Sequence, residues 1–163
     1  MILASHIIVS GILGSRTQNY FFAAAIGLIS HYILDAIPHW DYLPEFETEA
    51  RTKNNFIKTK KFWKNISKVA ADILLGFGAL LIFVIFDKNA KIVPLIISTF
   101  FSILPDALSL LYWITNWKFI KWNFDIQESS HHLTRSKINP GFRLGIITQI
   151  ATIGIVFLTL YKL

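Results

Sequence analysis

Val69 to Phe86 reads VAADILLGFGALLIFVIF, an apolar run interrupted by one charge, Asp72. A bilayer core about 30 Å thick asks for roughly 20 helical residues, so this run predicts a helix of spanning length. Four further stretches repeat the pattern: Ile2 to Gly14, Tyr20 to Ile37, Ile92 to Thr115 and Phe142 to Leu160. The last three are long enough to span, whereas Ile2 to Gly14 is short and predicts a tilted or partly inserted helix. It reads poorly as a secretory signal, because no basic segment precedes it and His6 interrupts it.

Composition points the same way. The 163 residues are 53% hydrophobic, 15% aromatic and 16% charged, with a mean hydropathy of +0.49. That is more apolar and less charged than a soluble domain. The expectation is an all-α polytopic membrane helix bundle, about five apolar helices plus interfacial amphipathic helices, forming one domain over residues 1–163. No Ser/Gly/Pro-rich linker or internal repeat divides it. There is no cysteine, which excludes disulfides and thiolate metal sites. The net charge of +6 comes from cations lying between the apolar runs, where anionic headgroups would attract them. Membrane lipids, and no nucleic acid, are therefore the partners expected.

Two polar segments interleave aromatic and basic residues. In Glu45 to Lys68, Phe56, Ile57, Phe62, Trp63 and Ile66 alternate with Lys58, Lys60, Lys61 and Lys64, which predicts an amphipathic helix along the interface. Trp117 to Trp122 reads the same way and fits an aromatic belt. The second loop holds seven cations and the fourth holds five, against Arg16, Lys88, Lys91 and Lys162 elsewhere. Lys and Arg stay on the cytoplasmic side, so the N-terminus is expected inside and the C-terminus outside.

Charges at membrane depth cost about 2.5–3.5 kcal/mol each on insertion scales, and those that persist usually face the bundle interior. Here they are Asp35, Asp72 and Asp106, joined by five histidines, His6, His31, His39, His131 and His132, in or beside the apolar runs. The densest group is Ser30-His31-Tyr32-Ile33-Leu34-Asp35-Ala36-Ile37-Pro38-His39-Trp40-Asp41. At ~100° per residue, His31, Asp35 and His39 share a sector of about 80° if the helix outlasts Pro38. Two imidazoles and a carboxylate on one stripe suit zinc, and also manganese, iron or magnesium. The expected topology puts His6, His31, Asp35, His39, Asp41, Asp72, Asp106 and His131 all in the cytoplasmic half, as a shared site requires; His131 and His132 are expected in a loop. Each residue alone could equally be a helix-packing hydrogen bond.

With these residues in view, the chain resembles a family, the small membrane-bound metal-dependent hydrolases, whose motif style is similar to the zinc-dependent phospholipase C group. Ser5-His6 with Gly11 resembles its N-terminal Thr/Ser-His element, and Ser30-His31-Tyr32-Ile33-Leu34-Asp35 its Ser-His-hydrophobic-Asp helix. Leu104-Pro105-Asp106 resembles its Leu-Pro-Asp element, and Ser130-His131-His132-Leu133-Thr134-Arg135-Ser136 echoes its His-Arg/Thr-His-Ser segment. Two departures stand out: the His-hydrophobic-Asp helix comes before the Pro-Asp element, and Ala107-Leu108 replaces the second acidic residue usual after it.

The leading expectation is a membrane-embedded metal-dependent hydrolase acting at the cytoplasmic interface on an anionic lipid-like phosphoester. Its metal ligands would be His6, His31, Asp35, His39, Asp106 and His131, and its catalytic carboxylates Asp41 and Asp72, as general base or ligand-orienting groups. Lys58, Lys60, Lys61, Lys64, Lys118 and Lys121 would rim the site. Two other classes compete: a bundle that transports protons or metal ions, and a scaffold whose polar residues only lock helices together. No nucleophile elbow, phosphate-cradling loop or dinucleotide fingerprint is present, and Gly11, Gly14, Gly76 and Gly78 read as helix-packing positions.

Overall fold

The computed structural model describes residues 2–40, 56–135 and 141–161. Among them are six α-helices: α1 (Leu3–Gly14), α2 (Tyr20–Ala36), α3 (Lys60–Phe86), α4 (Ile92–Thr115), α5 (Lys121–Arg135) and α6 (Gly141–Tyr161). Short 3-10 turns at Phe56–Lys58 and Lys118–Ile120 lead into α3 and α5. No strand occurs among the described residues, and each of the five apolar runs forms a helix, with Ile2 and Ile37 just outside theirs.

The boundaries follow local chemistry. Asn19 caps α2 by accepting from the backbone of Phe21 and Phe22, and Thr59 caps α3 by accepting from Phe62. A proline disfavours helical geometry at the residue before it, and Ile37 is extended, with φ −80° and ψ 136°. Helix α2 therefore stops at Ala36, ahead of Pro38. Helix α4 closes on Asn116 at φ 53°, a left-handed cap that asparagine tolerates better than most residues.

Three expectations need correction. Of the segment Glu45 to Lys68, residues 45–55 lie outside the described residues, and Lys60 to Lys68 is not a separate interfacial helix: no breaker separates Lys60 from Val69, so this basic stretch is the first part of α3. The aromatic-basic stretch at Trp117 to Trp122 opens a 15-residue helix, and that helix carries His131 and His132, which were expected in a loop. Finally, among the described residues only α3 and α4 are long and apolar enough to cross a membrane, fewer than the five apolar helices expected. Helices α1 and α2 have 12 and 17 residues, rises of about 18 and 25 Å, and the apolar part of α6, Arg143–Thr159, is also short.

Contacts between residues fix the helix directions. Leu3 meets Asp72, Ile7 meets Gly76 and Gly11 meets Leu80, so α1 and α3 run parallel in a register that advances four residues at each step. Ser10 meets Ser98 and His6 meets Ser102, so α4 runs against α1. Helix α2 returns antiparallel to α1 and parallel to α4. Helix α6 packs Ile153 and Val156 beside Val9 and Leu34, and binds the end of α2 where Thr148 donates to Pro38 O at 2.6 Å. The start of α1, the end of α2 and the end of α4 therefore share one end of the bundle. Arg16 and Asp87 pair at 2.5 Å at the opposite end.

Close helix approach sets up the interior. A Cβ on Gly27 would lie 2.2 Å from Ser98 O, and one on Gly14 would lie 2.2 Å from Ser98 Cβ. Small residues allow such contact, and the approach at Gly27 brings the next turn of α2, with His31, against the next turn of α4, with Asp106. Gly11 and Gly76 act in the same way, while Gly78 has open space around it. The polarity of the bundle is inverted. Leu74, Leu75, Leu81, Ile82, Ile85 and Phe86 of α3 are exposed, as are Ile92, Val93, Ile96 and Phe100 of α4, while His6, His31, Asp35, Ser98 and Ser102 are buried.

Candidate metal centre

The centre is assembled by three helices. Helix α1 brings His6, held by its own carbonyl, which accepts from Ser10 Oγ at 2.6 Å and Ser102 Oγ at 3.2 Å. Helix α2 brings His31 and Asp35, one turn apart on one face. Helix α4 brings Asp106 directly after Pro105, whose ring supplies no backbone N–H. His6 and His31 are fully enclosed, Asp35 is 1% exposed, and Asp106 is half-buried.

Asp35 sits between the two imidazoles. Its Oδ1 is 3.2 Å from His6 Nε2 and its Oδ2 is 3.2 Å from His31 Nε2. The rings lie 4.6 Å apart between centroids and are tilted by 31°. The His6 approach is close without the alignment of a hydrogen bond: neither His6 Nε2 nor His6 Nδ1 has a hydrogen-bond partner among the described residues, and neither has His31 Nδ1. Buried polar atoms are nearly always partnered, so three imidazole nitrogens in this state are unusual. Two ligands about 2.0–2.2 Å from a tetrahedral ion stand about 3.3–3.6 Å apart, close to the 3.2 Å seen between each imidazole and Asp35. His6, His31 and Asp106 also each offer a ligand atom within 4.8 Å of the others. Two nitrogens and carboxylate oxygens are a donor set suited to zinc, manganese or iron.

Helix α5 covers this cluster with its polar face. Asn123 and Gln127 are buried, while Trp122 and Ile126 of the same helix, and Phe119 just before it, are exposed. Gln127 Nε2 donates to Asp106 Oδ1 and lies 3.5 Å from His31 Nε2. Ser109 Oγ donates to Gln127 Oε1, and Asn123 Nδ2 donates to Pro105 O at 2.9 Å and Ser109 Oγ at 3.2 Å. Tyr32 Oη closes the chain at 3.3 Å from Asn123 Oδ1.

The expected residues divide accordingly. His6, His31, Asp35 and Asp106 come together. His39 does not join the stripe, because α2 ends three residues earlier, and its Nδ1 lies 2.7 Å from Ile37 O. Asp72 Oδ2 accepts from Leu3 N at 2.5 Å, which ties a carboxylate of α3 to the first turn of α1, one turn before His6. Asp41 and the His131 side chain lie outside the described residues. Gln149 donates to Trp40 O at 2.7 Å, past the end of α2 and at the same end as the cluster. Asn123, Gln127, Ser109 and Tyr32 had not been singled out. Their one sequence signal is two carboxamides at i, i+4 among exposed aromatic residues.

The class defined by fold and site is therefore an all-helical bundle with an apolar exterior and an enclosed His/Asp cluster. No protein-family model, curated protein or solved structure matches the chain.

Proposed function

We propose that the chain is an integral membrane protein, a metal-dependent hydrolase acting at the cytoplasmic interface on an anionic, lipid-like phosphoester. The observation that carries the reading is the enclosed cluster: two imidazoles spaced around one carboxylate at ligand-edge distance, with Asp106 on the less buried side. His6, His31, Asp35 and Asp106 would hold the ion, zinc by preference. Bound there, a divalent ion would polarise a phosphoryl oxygen and lower the pKa of a bound water. Asp35 orients both imidazoles at once, while α5 shields the cluster with amides and leaves its aromatic side outward.

The inverted polarity supports a membrane setting. A core helix of a soluble protein would be mostly buried, but most of the apolar surface of α3 is exposed, and a monomer in water would gather such a patch inside. Exposed Lys58, Lys60, Lys64, Lys118 and Lys121 lie at the end of the bundle that holds the cluster, where they would favour an anionic amphiphile. The N-terminus is then cytoplasmic and the C-terminus external. Single cysteines placed at Lys60 and Lys88 test this orientation: in intact cells an impermeant maleimide is expected to label position 88 and spare position 60. The reverse pattern would move the site to the other leaflet.

The transport reading finds less support. Toward the other end of the bundle the buried serines donate to backbone carbonyls, Ser98 to Ser10 O at 2.8 Å and Ser15 to Ile12 O at 2.7 Å. These bonds lock packing and leave no chain of ionisable groups among the described residues.

The test of function is hydrolysis in lipid. Zinc-loaded protein reconstituted in vesicles containing phosphatidic acid or phosphatidylglycerol is expected to release phosphate or headgroup, and a chelator should stop the release. If neither these nor acyl esters or amides are cleaved by metal-loaded protein, the hydrolase assignment falls.

A further inference from the structure

We propose that Gln127 of α5 is the positioning residue of this centre, holding Asp106 in place and presenting an N–H donor to His31 Nε2 so that this nitrogen is kept as a lone pair. The inference rests on the metal reading above and adds to it a residue on a helix that supplies none of the four ligands.

The argument is one of hydrogen-bond direction. A carboxamide can turn either end toward a neighbour, and its sense must come from the surrounding network. Here the network has one consistent sense. The Tyr32 hydroxyl donates to Asn123 Oδ1, leaving the Asn123 amide nitrogen to donate to Pro105 O and Ser109 Oγ. Ser109, having accepted, spends its own proton on Gln127 Oε1. Gln127 Nε2 is thereby turned toward the Asp106 carboxylate, which can only accept, and toward His31 Nε2 at 3.5 Å. Reversing Gln127 would set its oxygen against Asp106 and face two acceptors with no proton between them.

His31 Nε2 then has two neighbours making opposite demands. Asp35 Oδ2, 3.2 Å away, favours a protonated Nε2, while the Gln127 amide nitrogen favours a bare lone pair. A neutral imidazole satisfies one of them, not both. A cation held by His31 and Asp35 would remove the conflict, and the Gln127 amide would then serve Asp106. Metal binding requires the unprotonated nitrogen, so the donor at Gln127 favours the ligating form in advance. The hydrogen bond from Gln127 to Asp106 is the kind outer-shell groups commonly make to a ligating carboxylate.

The experiment uses the full chain in detergent and Co²⁺ alone as the probe, read by visible absorption and by competition titration, with thermal unfolding measured in parallel. Gln127→Leu keeps the volume and removes the donor. It is expected to weaken Co²⁺ binding about 10–100-fold and to change the band shape. Ser109→Ala leaves Gln127 in place but frees its amide to turn, and should change the spectrum in the same sense by a smaller factor. A purely structural role would lower the unfolding temperature and leave the spectrum and affinity unchanged; that outcome overturns the assignment of Gln127 while the metal reading stands. If the wild-type chain shows no Co²⁺ spectrum, both are overturned.

Discussion

His31→Ala is expected to leave the purified protein without bound zinc, whereas His39→Ala should keep the wild-type metal content. Elemental analysis of detergent-purified protein separates the two. The contrast comes from the end of α2. His31 lies inside the helix, fully enclosed, with Nε2 beside Asp35 and facing the amide of Gln127. His39 lies past Pro38 with its ring turned back to Ile37 O at 2.7 Å. Asp35→Asn should fall between them, because one of its two contacts with imidazole nitrogen changes from oxygen to amide nitrogen and a negative charge is lost. The loss for His31→Ala should be large because no spare nitrogen is at hand: among the described residues the only other histidine in the cluster is His6. Wild-type zinc content in His31→Ala would sink the metal assignment, and His39→Ala losing metal would mean that the chain past α2 contributes to the site.

Much of the fold could be read from hydropathy alone, and the places where reading stopped have physical causes. The apolar runs predicted helices at Ile2, Tyr20 and Ile92 to within a residue of where the helices begin, with the Asn19 cap marking the second entry and a turn before Ile92 the third. At Val69 the two signals separate. Hydropathy changes there, but backbone propensity does not, so α3 starts nine residues earlier behind its Thr59 cap. Pro38 was visible as a possible stop, and the extended geometry it imposes on Ile37 decides the fate of His39. His6, His31, Asp35 and Asp106 stood out because charge and imidazole are rare in apolar helices. Asn123 and Gln127 stayed hidden since carboxamides carry no charge, and their segment presents its aromatic residues outward, the reverse of the pattern by which a soluble amphipathic helix is read. Asp72 could be read as polar at depth, but its bond to the Leu3 backbone depends on a parallel α1/α3 register that no local pattern announces.

The second large effect expected concerns stability, and it separates a functional cluster from a structural one. His6→Leu alone should destabilise the protein strongly, by up to about 3–5 kcal/mol, the range for removing one partner from a buried charged group. Asp35 would keep its enclosed carboxylate and lose its contact with His6 Nε2. Replacing the whole set, His6→Leu with His31→Leu and Asp35→Val, should recover that loss. A buried ionic group exchanged for apolar side chains of similar size is often neutral or stabilising by about 1–4 kcal/mol, and His6 Nδ1 and His31 Nδ1, which have no hydrogen-bond partner among the described residues, would be gone. The measurement is unfolding of the three proteins in one detergent, with metal content recorded alongside. A functional cluster predicts a triple variant at least as stable as wild type and devoid of metal, since helix packing through Gly11, Gly14, Gly27 and Gly76 is untouched. A cluster kept only to lock the helices predicts the opposite, a triple variant less stable than His6→Leu. In that event the imidazoles and carboxylate earn their place through packing, and the scaffold reading replaces the enzymatic one.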